Sequence, residues 1–421
     1  MKTTYLFPTA SLALVLAFSL QPLALLGQGS LTPPGAPAPT MKSLAQIEPR
    51  TAITNIGAVT ITNSGSYYLT TNITVSSGDA ITITANGVTL DLNGFSVSST
   101  ASGTGSAITM NGGRTNIAIF NGFIAGSFVN NAGTYSGKGF GYGIYYASSY
   151  PWNVRVADVT VSGCLYHGLL LNPRASIVER CTVMTAGGYG ILAQTVSDSM
   201  VLNCGDYAIV AMTANNCSGE CVGSGNGISA ATAQNCYGYS ISGHGLYATN
   251  TAPNCYGYSA GANPALYSRT AENCRGYCDG SGEGVYATAA QNCVGSSVSG
   301  RGLSANTTAQ NCVGSSTSGF GLYAATAQNC SGSSASGTYG LCADNNAQNC
   351  YGNNAGAGTG LIAAIAIGCS GVSVSGTGLN GTTIANSCRG YSTSGTGLTA
   401  NIANSCGGNT ITYTYHYNMP P

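Results

Sequence analysis

Cysteine is the residue type with the greatest capacity for chemistry in this sequence, and its spacing is regular. The chain holds 17 cysteines, and eleven of them follow one another at intervals of 18 to 20 residues. These eleven are Cys217, Cys236, Cys255, Cys274, Cys293, Cys312, Cys330, Cys350, Cys369, Cys388 and Cys406. A zinc site needs several thiolates or imidazoles around one point, whereas this series offers one thiol per repeat and the chain has only three histidines. We therefore predict a column of packed thiols and no metal site.

Disulfide bonds are the alternative that the cysteine spacing leaves open. Parallel side chains on neighbouring repeats hold their Cβ atoms too far apart for an unstrained bond. Within a repeat, Cys217–Cys221 and Cys274–Cys278 are the pairs best suited to bridging. The odd total leaves at least one thiol without an intrachain partner.

Carboxylates are the second group that could support catalysis. Enzymes that cleave glycans use two or three clustered acids, or calcium held by acids. The chain has twelve Asp and Glu residues in 421, with no DD or DxD pair, and the densest run, between 272 and 283, predicts a solvated patch. We predict no catalytic residue, and Glu179, Asp198 and Asp206 are the alternative candidates.

Other catalytic and cofactor motifs are missing from the sequence. It contains no nucleophile motif, no phosphate-binding glycine loop between a strand and a helix, and no Cys/His arrangement. His167 and His244 each precede a Gly-Leu step, and we predict that both are exposed turn residues. We therefore expect no cofactor.

The charge balance restricts the partners. Twelve basic and twelve acidic side chains give a formal net charge of zero, and charged residues are 6% of the chain. A nucleic-acid or anionic-membrane partner requires a basic surface. We therefore expect neither, and the oligomeric state is left open.

Tyrosines form the remaining functional signal. Several recur at fixed offsets from the cysteines, so that stacked repeats would align them in outward rows: Tyr237 with Tyr256; Tyr239, Tyr258 and Tyr277; Tyr247, Tyr267 and Tyr286. Rings about 4.8 Å apart make an amphipathic strip on which sugar faces can stack. We predict these eight tyrosines as ligand-binding residues for a neutral polysaccharide or cell-surface glycan. Two alternatives are that the rings only stabilise neighbouring strands, or that they contact a partner protein.

The elements that must position these side chains are short strands. Reading alternately from Cys236, the residues Gly238 and Ser240 share its face, while Tyr237 and Tyr239 share the other. Glycine at fixed interior positions opposes a helical repeat, at about 1 kcal/mol each. The pattern predicts an all-β fold, a single parallel β-helix with coils of about 19 residues that point Ala, Cys, Gly, Ser and Leu inward. The Asn that usually precedes each cysteine predicts a hydrogen-bonded ladder at a bend.

The organisation of the chain follows from the same patterns. Residues 1–27 are predicted to be a signal peptide, because Lys2 precedes a mostly apolar stretch that small residues end. Residues 28–43 are predicted as a Pro-rich linker, 44–160 as a cap with irregular coils, and 161–407 as the regular repeats. Residues 408–421 are predicted as a C-terminal cap with a closing strand. The mature protein is accordingly expected to be secreted or at the cell surface, without membrane insertion.

The phrases GSYYLTTNIT, NGVTLDLNGFSVSS and RTNIAIFNGFIAG, followed by repeats such as VTVSGCLYHGLLL, carry a family resemblance. They resemble the pectate-lyase-like right-handed parallel β-helix proteins exported by bacteria. The segment PPGAPAPTMKSLAQIEPRT before GSYYLT is similar, more narrowly, to an uncharacterised group of such proteins. The resemblance implies a right-handed β-helix over nearly the whole mature chain. It does not imply one activity, because this fold supports lyases, hydrolases, epimerases, adhesins and scaffolds.

Two functions follow as expectations. The first is an exported β-helix that acts as a structural, adhesive or glycan-contacting element without catalysis. The alternative is a polysaccharide lyase or glycoside hydrolase with its site on the irregular coils, around residues 140–210.

Overall fold

The computed structural model describes residues 48–419. The predicted signal peptide and the linker, and also residues 420–421 of the predicted cap, lie outside the described residues. Every regular element between 48 and 419 is a β-strand, and that range contains no apolar helix of membrane-spanning length.

The strands fall into an irregular N-terminal part, a regular part and a last strand. The irregular part contains β1 (Thr51–Ile53), β2 (Val59–Ile61), β3 (Gly65–Leu69), β4 (Ile73–Val75), β5 (Ile81–Ile83), β6 (Val88–Asp91), β7 (Ser96–Ser99), β8 (Ser106–Met110), β9 (Thr115–Ala125), β10 (Val129–Asn131), β11 (Thr134–Ser136), β12 (Tyr142–Tyr146), β13 (Trp152–Val161), β14 (His167–Leu170), β15 (Ser176–Glu179), β16 (Thr182–Val183), β17 (Ile191–Leu192), β18 (Thr195–Ser197) and β19 (Met200–Cys204). The regular part contains β20 (Ile209–Asn215), β21 (Ser218–Cys221), β22 (Ile228–Gln234), β23 (Tyr237–Ser240), β24 (Leu246–Pro253), β25 (Tyr256–Ser259), β26 (Leu266–Glu272), β27 (Arg275–Cys278), β28 (Val285–Gln291), β29 (Val294–Ser297), β30 (Leu303–Gln310), β31 (Val313–Ser316), β32 (Leu322–Gln328), β33 (Ser331–Ser334), β34 (Tyr339–Gln348), β35 (Tyr351–Asn354), β36 (Thr359–Ile367), β37 (Ser370–Ser373), β38 (Leu379–Asn386), β39 (Arg389–Ser392), β40 (Leu398–Asn404) and β41 (Gly407–Gly408), and the last strand is β42 (Ile411–Tyr417).

Each regular coil consists of one long and one short strand. A long strand pairs with the next long strand and a short strand with the next short strand, always in parallel, as in β28 with β30 and β29 with β31. The register places Ile209 beside Ile228, nineteen residues later. The predicted fold, an all-β parallel solenoid with coils of about 19 residues, is confirmed.

The coils before residue 209 are less uniform. Ile81 pairs with Ile108, and Ile117 pairs with Val154, so these coils contain 27 and 37 residues. The longest coil includes an antiparallel hairpin, β10–β11. The Tyr135 ring of this hairpin lies over Gly187 and Gly205 of later coils, and burial raises the pKa of its phenol to about 12.

The interior is narrow, as the small inward side chains predict. In one coil Leu303, Ala305, Ala309 and Cys312 are all buried. A Cβ on Gly314 would lie inside van der Waals contact of a carbonyl oxygen on the opposite side of the coil. The facing strands therefore approach closely enough that only glycine fits there.

The predicted asparagine ladder is present, and each of its residues has a left-handed backbone. Asn235, Asn254, Asn273 and Asn292 have φ between 52° and 55°. Asparagine tolerates this conformation better than other side chains. Each Nδ2 donates to the Oδ1 of the asparagine one coil earlier at 3.0 to 3.2 Å. The ladder therefore fixes the corner between the long and the short strand.

All seventeen cysteines carry free thiols, and the eleven that recur are buried. Many of these thiols donate to the carbonyl oxygen of the alanine in the preceding coil, as Cys236 does to Ala214 and Cys255 to Ala233. The suggested Cys217–Cys221 and Cys274–Cys278 bridges are absent. Four residues along an extended strand span about 13 Å, too far for a disulfide.

The last strand, β42, pairs in parallel with β40 and covers the end of the stack. Tyr413 and His416 stand beside the buried Ala400 and Ala403 of the preceding coil. Their rings lie 4.7 Å apart and are too large for the narrow interior. The alanine columns therefore end at β42.

Candidate functional site

Five tyrosines on consecutive short strands form a flat aromatic surface, which we call the tyrosine plate: Tyr237, Tyr239, Tyr256, Tyr258 and Tyr277. The Tyr237 and Tyr256 rings stack at 5.3 Å with planes 5° apart, and Tyr239 and Tyr258 stack at 4.9 Å and 7°. Tyr277 continues the second row at 5.7 Å. The strand register aligns the rings, because Tyr237 pairs with Tyr256 and Tyr239 with Tyr258. Two of the three predicted rows therefore form one surface.

A groove of about 740 Å³ lies beside the plate, and we call it the asparagine groove. One wall is the asparagine ladder, and the other includes Tyr237 and Tyr256. Asp198 lies among the lining residues at the ladder's first step, where its carboxylate accepts from Asn216. Arg275, which pairs with Tyr256 across the strands, closes the other end of the tyrosine row. The groove thus combines amides and aromatic rings, with one charge of each sign among its lining.

The third predicted row lies on the long strands. Tyr247 and Tyr267 stack at 4.8 Å, and Tyr267 and Tyr286 at 5.2 Å. These rings are half-buried, and the Tyr286 hydroxyl accepts a hydrogen bond from Asn306 at 2.9 Å. All three rings of this row are half-buried, whereas two rings of the plate, Tyr237 and Tyr277, are exposed.

A further column of rings, which the sequence analysis missed, precedes the long strands. It contains Tyr142, His167, Tyr189 and Tyr207, one per coil, with neighbouring centroids 5.1 to 5.8 Å apart. The intervals between them in the sequence are 25, 22 and 18 residues. A search at one period does not connect them, and their common signal is the glycine or alanine and the aliphatic residue that follow each ring.

His167 and His244 are not the exposed turn residues that the sequence predicts. His167 begins β14 and is half-buried, and its Nδ1 accepts the Tyr189 backbone N–H at 2.9 Å. His244 is also half-buried and lies 3.0 Å from the Pro264 carbonyl oxygen through Nδ1. Burial lowers the pKa of both rings. The prediction was wrong because stacking on neighbouring rings, which periodicity does not show, covers them.

The alternative catalytic carboxylates are not assembled around one point. Glu179 is bound by Arg155 at 2.7 Å, and that hydrogen bond is the main cause of its lowered pKa. Asp206 is partly buried, and burial raises its pKa. Among residues 48–419, no hydrogen bond or ion pair joins Asp198 or Asp206 to Glu179.

Two further acids, Asp158 and Asp279, are also engaged locally. Asp158 accepts two hydrogen bonds from Arg180 at 2.7 and 2.8 Å, and this contact lowers its pKa. Asp279 lies 3.4 Å from the hydroxyls of Tyr258 and Tyr277. In the part of the chain that the structure describes, no three His, Cys, Asp or Glu side chains converge as metal ligands.

Comparison with known proteins adds no family assignment. No protein-family model and no curated protein matches the chain. Among solved structures, the Dettilon tailspike protein is 13% identical over 87% of this chain, with a TM-score of 0.30, and this chain spans 61% of its length. The A-modules of the Azotobacter vinelandii mannuronan C-5 epimerases AlgE6 and AlgE4 are 11% and 12% identical, with TM-scores of 0.19 and 0.18. Both matches cover 85% of this chain and 88% and 90% of the modules.

Structural similarities with TM-scores this low support no conclusion about the ligand or the activity of this protein. The parallel fold itself rests on the register of the strands, in which each strand pairs with its counterpart one coil later. The resemblance to parallel β-helix proteins that the sequence indicated is confirmed at the level of the fold.

Proposed function

We propose that this protein is an exported β-helix that binds an uncharged glycan on its tyrosine plate and in the adjoining asparagine groove. The observation that carries the proposal is the stacking of outward tyrosine rings, two of them exposed and three half-buried, with planes 5° to 26° apart, beside a groove lined by amides. Export is part of the proposal and follows from the predicted signal peptide. An N-terminal sequence of the mature protein beginning near residue 28 would support it.

The chemistry of the two surfaces suits a sugar chain. Pyranose rings have C–H faces that pack on aromatic rings and hydroxyl edges that need hydrogen-bond partners. Each ladder amide uses one N–H and one oxygen lone pair within the ladder, which leaves a second donor and a second acceptor for a ligand. Coils spaced about 4.8 Å apart repeat these partners along the axis.

The charges favour an uncharged ligand. The acids Glu220 and Asp279 border the plate, and the groove lining contains one acid, Asp198, and one base, Arg275. A polyanion would require several cations along its path. We favour binding over cleavage, because the carboxylate of Glu179 is held by Arg155 and Arg180 and Asp158 is held by Arg180.

The test is a binding measurement on a glycan array, followed by affinity electrophoresis in the best polysaccharide. Replacing one ring in each row of the plate, as Tyr256→Ala with Tyr258→Ala, is expected to weaken binding at least tenfold, since each aromatic contact contributes about 1 kcal/mol. Tyr351→Ala is the matched control, because Tyr351 is exposed on a short strand in the same column outside the plate. It should bind as the wild type does.

Two outcomes would contradict the proposal. Unchanged binding by the double variant would exclude the plate. Release of reducing ends or unsaturated sugars that Glu179→Gln abolishes would favour the alternative function, a lyase or hydrolase on the irregular coils.

A further inference from the structure

Between Tyr142 and His244, the column of rings before the long strands has one vacant position; in the three coils after His244 the same position carries no aromatic ring. The Tyr189 and Tyr207 rings lie with centroids 5.8 Å apart and planes tilted by 57°. The register places Asn226 at the next position, because Tyr207 and Asn226 each stand two residues before the paired Ile209 and Ile228. One coil further, the column continues with His244. A single coil therefore lacks the ring that its neighbours on both sides carry.

The vacancy opens a pit of about 460 Å³, which we call the notch. Its lining includes Tyr207, Asn226, Ser229, His244 and Tyr247. No residue of the lining carries a carboxylate, an ammonium or a guanidinium group. The notch therefore has aromatic walls and polar but uncharged partners.

The polar groups in the notch are held in place. The Asn226 Oδ1 accepts the His244 backbone N–H at 2.9 Å, which orients the amide. Its Nδ2 has no hydrogen-bond partner within residues 48–419. The His244 ring is held by a tilted contact with the Tyr247 ring, at 5.1 Å between centroids, and by its contact with the Pro264 carbonyl oxygen. A ligand in the notch would therefore meet an oriented amide and a fixed ring.

The size of the gap sets the size of the ligand. Tyr207 and His244 lie two coils apart, so their positions in the column are separated by about 10 Å. One six-membered ring placed midway would stand at stacking distance from both. The Asn226 amide and the Ser229 hydroxyl would then face its edge.

We propose that the notch binds one uncharged pyranose residue, stacked between Tyr207 and the His244–Tyr247 pair, in the position of the missing ring. A pyranose is favoured over a heteroaromatic ring because amide and hydroxyl groups lie around the notch, and a pyranose carries hydroxyls around its edge. This site is separate from the tyrosine plate, and it goes beyond the function proposed above.

The inference can be tested with substitutions that fill the notch with a larger side chain. Asn226→Tyr would restore the ring that Tyr189 and Tyr207 supply in neighbouring coils. Ser229→Leu would fill the notch from the adjacent column, in which the preceding coils carry Leu192 and Val210. Thr377→Tyr is the matched control, because Thr377 occupies the ring-column position two residues before Leu379, far along the stack.

The probes are methyl α- and β-pyranosides of glucose, galactose, mannose and xylose, measured by saturation-transfer NMR, with adenosine as a heteroaromatic probe. Both filling variants should lower the affinity for the best pyranoside at least tenfold. Tyr207→Ala should lower it about three- to tenfold, and Thr377→Tyr should have no effect. Thermal unfolding of each variant reports whether it is folded.

The outcomes separate this inference from the function proposed for the plate. Pyranoside binding that survives both filling variants, or that adenosine exceeds, overturns the inference. If only the Tyr256→Ala/Tyr258→Ala variant loses glycan binding, the plate is supported and the notch is refuted. If only the filling variants lose it, the notch is supported and the plate is refuted.

Discussion

The asparagine ladder stabilises the corner of each coil in two ways, through its side-chain hydrogen bonds and through the left-handed backbone that asparagine tolerates. The two effects can be measured separately. Asn292 has φ of 53°, donates to Asn273 at 3.1 Å, and accepts from Asn311 at 3.1 Å. Asn292→Ala removes both hydrogen bonds and places an alanine in the left-handed region, which costs about 1 to 2 kcal/mol. The two bonds are exposed and should contribute about 0.5 kcal/mol each. We therefore expect Asn292→Ala to destabilise the protein by about 2 to 3 kcal/mol.

Glycine at the same position separates the two effects. Asn292→Gly keeps the left-handed backbone accessible and loses only the hydrogen bonds and some chain entropy, so about 1 to 2 kcal/mol is expected. Glycine already occurs at one ladder position of this chain, because Gly368 stands there in its own coil with φ of 60°. Asn345→Ala, an exposed asparagine within β34, is the control.

Urea unfolding, together with hydrogen exchange resolved to the affected coils, would measure these differences. Exchange is needed because a solenoid can open locally without global unfolding. Equal losses for the alanine and glycine variants would refute the assignment of backbone conformation as the reason for asparagine. Losses no larger than that of Asn345→Ala would refute the contribution of the ladder.

Two further predictions concern the narrow interior and the histidines. Gly295→Ala would place a methyl group inside van der Waals contact of the Gly302 carbonyl oxygen, so we expect at least about 3 kcal/mol of destabilisation in urea. Gly407→Ala, which meets nothing within 4 Å, should change stability little, and similar midpoints for the two variants would contradict a narrow core. Burial lowers the pKa of His167 below its usual value near 6.5, so the unfolded chain takes up its proton first. Stability should therefore be complete above about pH 6.5 and decline as the pH falls below it; His167→Phe should reduce that decline in melting temperature, and His244 contributes with the same sign.

The sequence predicts the fold because one physical constraint repeats. Parallel coils place the same side chain at the same depth in every turn, so a narrow interior admits only small residues at fixed intervals. Cys236, Gly238 and Ser240 predicted which face is inward, and all three are buried. The tyrosine rows followed from the same alternation, and the predicted stacking of their rings is present. The role of these tyrosines as ligand-binding residues stays a prediction.

The features that the sequence did not predict depend on contacts between coils of unequal length. Tyr142 and His167 lie in neighbouring coils, yet the column they share becomes visible only when the register is known. The hydrogen-bond acceptor of the Cys221 thiol was not predicted from the sequence, because it too depends on the register between coils. This thiol shares the Asp206 carbonyl oxygen with Cys204 of the preceding coil, since Cys204 and Cys221 pair across the strands with a register shift.

The independence of the regular coils has a consequence for how such a protein changes its length. Each long strand pairs only with the strands one coil before and one coil after, and the large residues of β42 end the alanine columns whatever number of coils precedes them. Duplication or deletion of one nineteen-residue unit in the gene would lengthen or shorten the shaft by about 4.8 Å and leave both ends unchanged. The length of the regular part can therefore change in equal steps of one coil.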